Sequence, residues 1–194
     1  MSAVFFDIDT QFDFMCPSGA LYVPGAERIL PAVAKLNRHS QANGFLVVSS
    51  ADVHSESDPE FAHWPPHCIA GTMGQRKPER TLLERRVTLP NRPGGFDLSG
   101  AGQIVVEKQT VDVFHTATIG PLLARLSADS YVVYGVVTEI CVLHAARGLL
   151  QTGKSVTVVT DAIETLNGSH SERALAEIRA AGGRLATVAE ICGS

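Results

Sequence analysis

Short apolar runs alternate with helix-period segments from one end of the chain to the other. Ala3-Val4-Phe5-Phe6-Asp7-Ile8, Phe45 to Ser50, Gln103 to Glu107, Ser130 to Tyr134, Ser155 to Thr160 and Arg184 to Val188 are the runs. They are short, rich in β-branched and aromatic residues, and apolar without strict alternation, the pattern of strands buried on both faces. Between the first two, Ala26 to Asn43 sets Ile29, Leu30, Val33 and Leu36 on one helical face and stops at Gly44. Further helices are expected over Ile119 to Leu126, from Val142 to near Gly153, and over Ser169 to Ala181. Strands separated by helices in this way predict an α/β fold with a parallel sheet covered on both faces. Residues 52–102 break the rhythm. They are dense in Pro, Gly, His and charge, and only residues 80–85 read as a short helix. A stretch this long between regular elements is expected to carry function.

Composition narrows the class. A chain of 194 residues is sized for one domain, 1–194, with a sizeable core. With 45% hydrophobic and 19% charged residues it reads as globular. A net charge of −4 without a basic stretch excludes a nucleic-acid partner from the leading readings. No apolar run nears the roughly 20 residues of a membrane span, and the first residues lack signal-peptide character. A soluble, cytoplasmic protein is expected. Cysteines 16, 68, 141 and 192 show no C-x-x-C spacing, so neither a disulfide framework nor a cysteine zinc site is expected.

Candidate chemistry gathers where the strands end. In an open parallel sheet, ligands bind beyond the carboxyl ends of the strands. Asp9 follows the first strand, Asp52 and His54 the second, Lys108 the third, and Cys141 the fourth through Gly135-Val136-Val137-Thr138-Glu139-Ile140-Cys141-Val142. Thr138 is a candidate N-cap, placing Cys141 in a first helical turn, where the dipole and free N–H groups favour thiolate. Lys108 can lower the thiol pKa further, and Asp9 can take the thiol proton and hand it to a leaving amine. Backbone N–H groups of the Val137–Cys141 turn can hold an oxyanion. Together these describe amide hydrolysis through a thioester. His144, one turn beyond Cys141, is expected to point away from the site. A second cluster, Asp52, His54, Glu60 and His67, suits a divalent ion, with zinc the first expectation and manganese or iron as alternatives. His63 and His115 are expected to be ordinary polar histidines.

These segments resemble a known family. Asp9-Thr10-Gln11-Phe12-Asp13-Phe14, Asp52-x-His54, Trp64-Pro65-Pro66-His67-Cys68-x-x-Gly71-Thr72-x-Gly74, Lys108 and the Gly135–Val142 corner are similar to the isochorismatase-like cysteine hydrolases, nearest to the nicotinamidases. The resemblance implies a Rossmann-like three-layer sandwich with a six-stranded parallel sheet. It implies an Asp9–Lys108–Cys141 triad, and an oxyanion hole at Val137 and Cys141 beside a cis peptide preceding Val137. Asp52, His54 and His67 would be metal ligands, with Glu60 at a fourth position. The metal would hold the ring nitrogen of a pyridine amide, and Phe14 and Trp64 would line the ring pocket, with Phe114 and Ile140 as further walls. A homo-oligomer, dimer or tetramer, is implied, with a small amide as the molecule it acts on. Two departures stand out: Gln109 replaces a glycine common in that subgroup, and Ile140 gives an apolar wall.

Other readings differ in testable ways. A carbamoyl or other small-amide hydrolase shares the triad and differs in substrate. An isochorismatase proper lacks the cysteine that Cys141 supplies. A binding protein that keeps the fold has no need of all three triad residues. A redox-sensing thiol lacks a resolving cysteine nearby in sequence. Cys16, Cys68 and Cys192 are expected to be structural, and Asp161 a structural carboxylate or helix cap.

Overall fold

The computed structural model describes residues 2–193. Seven parallel strands form one sheet: β1 (Ala3–Ile8), β2 (Leu46–Asp52), β3 (Arg86–Leu89), β4 (Gln103–Lys108), β5 (Ser130–Gly135), β6 (Ser155–Ile163) and β7 (Arg184–Ala186). Their order is β3-β4-β2-β1-β5-β6-β7, so the chain winds outward from β1 on one side and then returns to build the other. The strand order reverses between β1 and β5. Beyond the strand ends at that reversal lies the crevice in which doubly wound sheets bind ligands.

Burial explains the apolar runs. Val4, Phe6 and Ile8 pack with Leu122, Ala145, Leu149 and Ile178, while Phe5 packs with Val33, Leu36, Val47 and Val188. The first set is covered by α3 (Ile119–Arg125), α4 (Leu143–Leu150) and α5 (Gly168–Ala180). The second is covered by α2 (Leu30–Ala42) and α6 (Val188–Cys192), the short helix α1 (Phe12–Met15) lying at the end of β1. Successive side chains of a strand point to opposite faces, so a strand between two helical layers must be apolar at nearly every position.

Three expectations are corrected. The sheet has seven strands and not six, because Arg86–Leu89 pairs in parallel with Gln103–Val106 at the edge. Arg86 and Thr88 are exposed there, so no continuous apolar run announces the strand. The helix expected at residues 80–85 is only a 3₁₀ turn, Glu79–Thr81. The first long helix begins as a 3₁₀ turn over Ala26–Ile29 before α2 proper. No helix among the described residues is long and apolar enough to cross a membrane.

The irregular stretch between β2 and β3 is pinned to the core and not loose. Gln11 accepts from Asp52 N–H at 2.6 Å and donates to the carbonyls of Asp52 and Gln75, both at 2.7 Å. Asp13 accepts from the amides of Cys68 (2.7 Å) and Ala20 (2.9 Å). His54 forms a parallel bridge with Ile69, exchanging bonds with Cys68 and Ala70. That bridge turns the stretch back on itself and brings His67 beside His54.

Candidate active site

Four strand ends deliver their side chains to one buried point. Register pairs Asp52 with Lys108 across β2 and β4, and Ile8 with Gly135 across β1 and β5. Gly135 sits at φ +118°, and a Cβ there would meet Ile8 O at 2.1 Å, so only glycine lets β5 turn into the cysteine corner. The Val136–Val137 peptide is cis. The next residues, Thr138–Val142, form a π-helical turn that runs into α4, and Cys141 lies within it.

The cap is not the one expected. Val137 occupies the cap position, and Thr138 is buried, its hydroxyl donating to Glu164 O at 2.8 Å. A carbonyl across the chain outcompetes the local N–H groups for that hydroxyl.

Lys108 is the hub. Its Nζ lies 2.5 Å from Asp52 Oδ1, 2.9 Å from Asp9 Oδ2, 3.0 Å from Thr110 O and 3.9 Å from Cys141 Sγ. Lys108 and Asp9 are almost wholly buried, Asp52 and Cys141 nearly so. Burial by itself opposes the lysine charge, but the Asp52 and Asp9 carboxylates outweigh it and hold the ammonium well above its ordinary pKa. Burial raises Asp9 above its ordinary value, with Asp52 adding to the rise while Lys108 and Ser50 offset part of it. Burial likewise pushes the Cys141 thiol well up, despite Lys108. Desolvation thus outweighs the neighbouring ammonium and favours the protonated thiol, which lies beside the Asp9 carboxyl group.

Asp9 is held from below. Its backbone is left-handed at φ +49°, a conformation that aspartate tolerates better than most residues. Ser50 Oγ donates to Asp9 Oδ1 at 2.6 Å and accepts from Asp9 N–H at 3.3 Å. Sequence reading missed Ser50, as it missed Gln11. Their partners lie 41 residues away, and a serine inside a strand carries no local signal.

The histidine cluster adjoins the hub through Asp52. While Oδ1 faces Lys108, Oδ2 faces His54 Nε2 at 4.0 Å and His67 Nε2 at 3.7 Å, with Glu60 Oε2 3.5 Å from His54 Nε2. Potential ligand atoms of Asp52, His54 and His67 lie within 4.8 Å of one another. His67 Nδ1 lies 2.7 Å from Pro65 O, which can only accept, so that nitrogen is the N–H and a neutral ring carries its lone pair on Nε2. Both nitrogens of the fully buried His54 and Glu60 Oε2 have no aligned hydrogen-bond partner. Buried polar atoms without partners are costly, and two imidazoles with two carboxylates suit a borderline divalent cation. The donor set thus fits the metal expected from sequence.

Beside the thiol opens a pocket of about 370 Å³, its mouth included, lined by Phe14, Leu21, Val23, Trp64, Val111, Val137, Ile140 and Leu166, with Asp52, Glu60, His67 and Cys141 also on its walls. Phe14, Trp64 and Ile140 line this pocket. Phe114 does not: its ring packs on Gly148 of α4, where a Cβ would come within 2.2 Å of it. The Asp112 side chain caps the turn Val113–His115 and turns Phe114 onto the helix, leaving Val111 as the wall. Gln109 also stays outside, bonding Val53 O and Asn91. His144 lies 3.7 Å from Asp112, away from the thiol's partners, and His63 and His115 are exposed. Asp161 accepts from Val188 N–H at 2.7 Å, capping α6. All four cysteines are free.

Comparison with known proteins meets this geometry. Residues 95–190 match the isochorismatase domain family. A nicotinamidase of Escherichia coli K12 is 26% identical over 94% of this chain and 93% of its own length. A maleamate amidohydrolase of Pseudomonas putida KT2440 is 25% identical over 88% of this chain and 76% of its own. The crystal structure of a Pyrococcus horikoshii pyrazinamidase in complex with zinc superposes with a TM-score of 0.80 at 26% identity, covering 96% of this chain and 99% of that one.

Proposed function

We propose that this chain, whose residues 95–190 match the isochorismatase domain family, is a cysteine-dependent amidohydrolase that cleaves nicotinamide to nicotinate and ammonia. The observation that carries the reading is the buried ammonium of Lys108, which joins Asp9, Asp52 and Cys141 at the wall of a small apolar pocket.

In the proposed reaction, Cys141 Sγ attacks the carboxamide carbon while its proton passes to Asp9. The N–H groups of Val137 and Cys141 hold the oxyanion. As the tetrahedral intermediate collapses, Asp9 returns the proton to the departing nitrogen, and ammonia leaves behind a thioester. Water then attacks the thioester carbon, giving a proton to Asp9. The C–S bond breaks, nicotinate departs, and Asp9 reprotonates the sulfur. Lys108 remains charged throughout, balancing the negative charge as it moves among Asp9, sulfur and oxyanion.

Asp52, His54, His67 and Glu60 would hold the divalent ion, zinc by donor type, and the ion would supply a Lewis-acid contact for a ring-nitrogen lone pair. Phe14 and Trp64 would flank the ring, so the amide carbon faces Cys141 when the far side of the ring faces the histidines. Pocket charge favours a neutral ring amide over an acidic one. No arginine or lysine lines it among the described residues, so apart from the ion the walls offer no cation for an acidic group on the substrate.

An ammonia-release assay across nicotinamide, pyrazinamide, maleamate and carbamoyl amines tests the reading. Fastest turnover of nicotinamide, abolished by Cys141→Ala, is expected. Faster turnover of an acidic amide would move the assignment to another amidohydrolase.

A further inference from the structure

Asp58 belongs to none of the roles above, yet it joins two groups of the histidine cluster. Its Oδ1 accepts from the N–H of Glu60 at 3.0 Å, capping the 3₁₀ turn Pro59–Ala62. Proline at the first position of that turn donates nothing, so the cap meets the first N–H that needs an acceptor. The other oxygen, Oδ2, lies 3.1 Å from His54 Nδ1. The imidazole is fully buried; Nδ1 lies close to Asp58 without an aligned hydrogen bond to any group, while Nε2 faces Asp52 and Glu60.

We propose that Asp58 is the positioning residue of the metal cluster: one carboxylate holds His54 as the Nδ1–H tautomer and anchors the turn that carries Glu60. The reasoning starts from the imidazole. A neutral ring has one N–H and one lone pair, and only the nitrogen carrying the lone pair can bind a cation. A carboxylate at Nδ1 draws the proton there and aims the lone pair of Nε2 at Asp52 and Glu60. His67 solves the same problem with Pro65 O. The two histidines thus carry different outer partners, a backbone carbonyl for His67 and a carboxylate for His54. Because Oδ1 also accepts from the N–H of Glu60, one side chain contacts both His54 and the turn that carries Glu60.

The proposal rests on the metal reading above, and its test separates the two. Zn²⁺ affinity of the full chain is measured by competition with a chromophoric chelator for wild type, Asp58→Ser, Asp58→Ala and Asp52→Asn. Serine keeps the cap but is too short to reach His54. Asp58→Ser should bind Zn²⁺ about 10- to 100-fold more weakly with an unchanged melting temperature, and Asp58→Ala more weakly still. In metal-free protein, long-range ¹H–¹⁵N spectra should show His54 protonated at Nδ1 in wild type and shifted toward Nε2–H in Asp58→Ser. A merely structural role would not move that tautomer. Wild-type affinity and tautomer in Asp58→Ser overturn the proposal while leaving the metal site intact. A loss as complete as that of Asp52→Asn overturns it differently, making Asp58 a ligand. Wild-type protein that takes up no Zn²⁺ overturns the metal reading and this proposal together.

Discussion

Two aspartates two residues apart, Asp7 in β1 and Asp9 just past its end, each meet a buried lysine, and their surroundings make them opposites. Asp7 accepts from Thr10 Oγ1 at 2.7 Å, Ser49 Oγ at 3.1 Å and Asn37 Nδ2 at 3.4 Å, with Lys77 Nζ 3.4 Å away. Asn37 in turn bonds Tyr134 and Thr81, and Gln103 bonds Ser49 and Thr81. That network lies beneath α2, closed and saturated. Asp9 has Ser50 on one oxygen, while the other faces Lys108 without an aligned bond and lies beside a thiol. A saturated buried carboxylate fixes structure, whereas one left short of partners can exchange a proton. Charge pairing alone does not separate them; unspent hydrogen-bonding capacity does.

The largest effect should come from the proposed nucleophile. Cys141→Ala should lower the rate of ammonia release by roughly 10⁴-fold or more, with the melting temperature nearly unchanged. Residual turnover within tenfold of wild type would remove the cysteine from the chemistry.

Exchanging the aspartates tests the contrast itself. Asp9→Asn should lower kcat by about 10²- to 10⁴-fold. Asp7→Ala should instead leave Lys77 unpaired and cost about 3–5 kcal/mol of stability in urea unfolding, with kcat of the folded fraction little changed. If Asp7→Ala reduces kcat as strongly as Asp9→Asn, the two networks are not separable.

Acidity gives a smaller effect with a defined sign. In the proposed reaction Asp9 must be ionised to take the thiol proton, and burial holds its pKa above the ordinary 3.8. Activity is therefore retained above the raised pKa and lost as pH falls through it, so the acidic limb of kcat/KM should lie above that value. Ser50→Ala removes a hydrogen bond that favours the ionised form, and should shift the limb to still higher pH. A shift to lower pH would assign the limb to another group.

The smallest effect is expected at His144, which lies near Asp112 and outside the hub. His144→Gln should leave kcat/KM within about twofold of wild type, whereas a loss above tenfold in steady-state turnover would restore histidine as a base.

Much of this was legible in the chain because it is local. Apolar runs such as Val4–Ile8 declare doubly covered strands, and Asp9, Asp52, Lys108 and Cys141 sit at strand ends where any parallel sheet would gather them. Edge strand β3 was hidden because its exposed face lets Arg86 and Thr88 replace apolar residues. Phe114 was misplaced because an aromatic side chain looks alike in sequence whether it lines a pocket or packs on Gly148.

Tertiary structure alone decided the rest. It gave Asp52 two faces, one to Lys108 and one to the histidines, and so fused what the sequence presents as two clusters. It also favours the protonated form of Cys141: a neighbouring lysine is visible in sequence, but the desolvation that outweighs it is not. Spacing along the chain settles which groups can meet. Burial, a property of the whole packed molecule, settles which of them keep their protons.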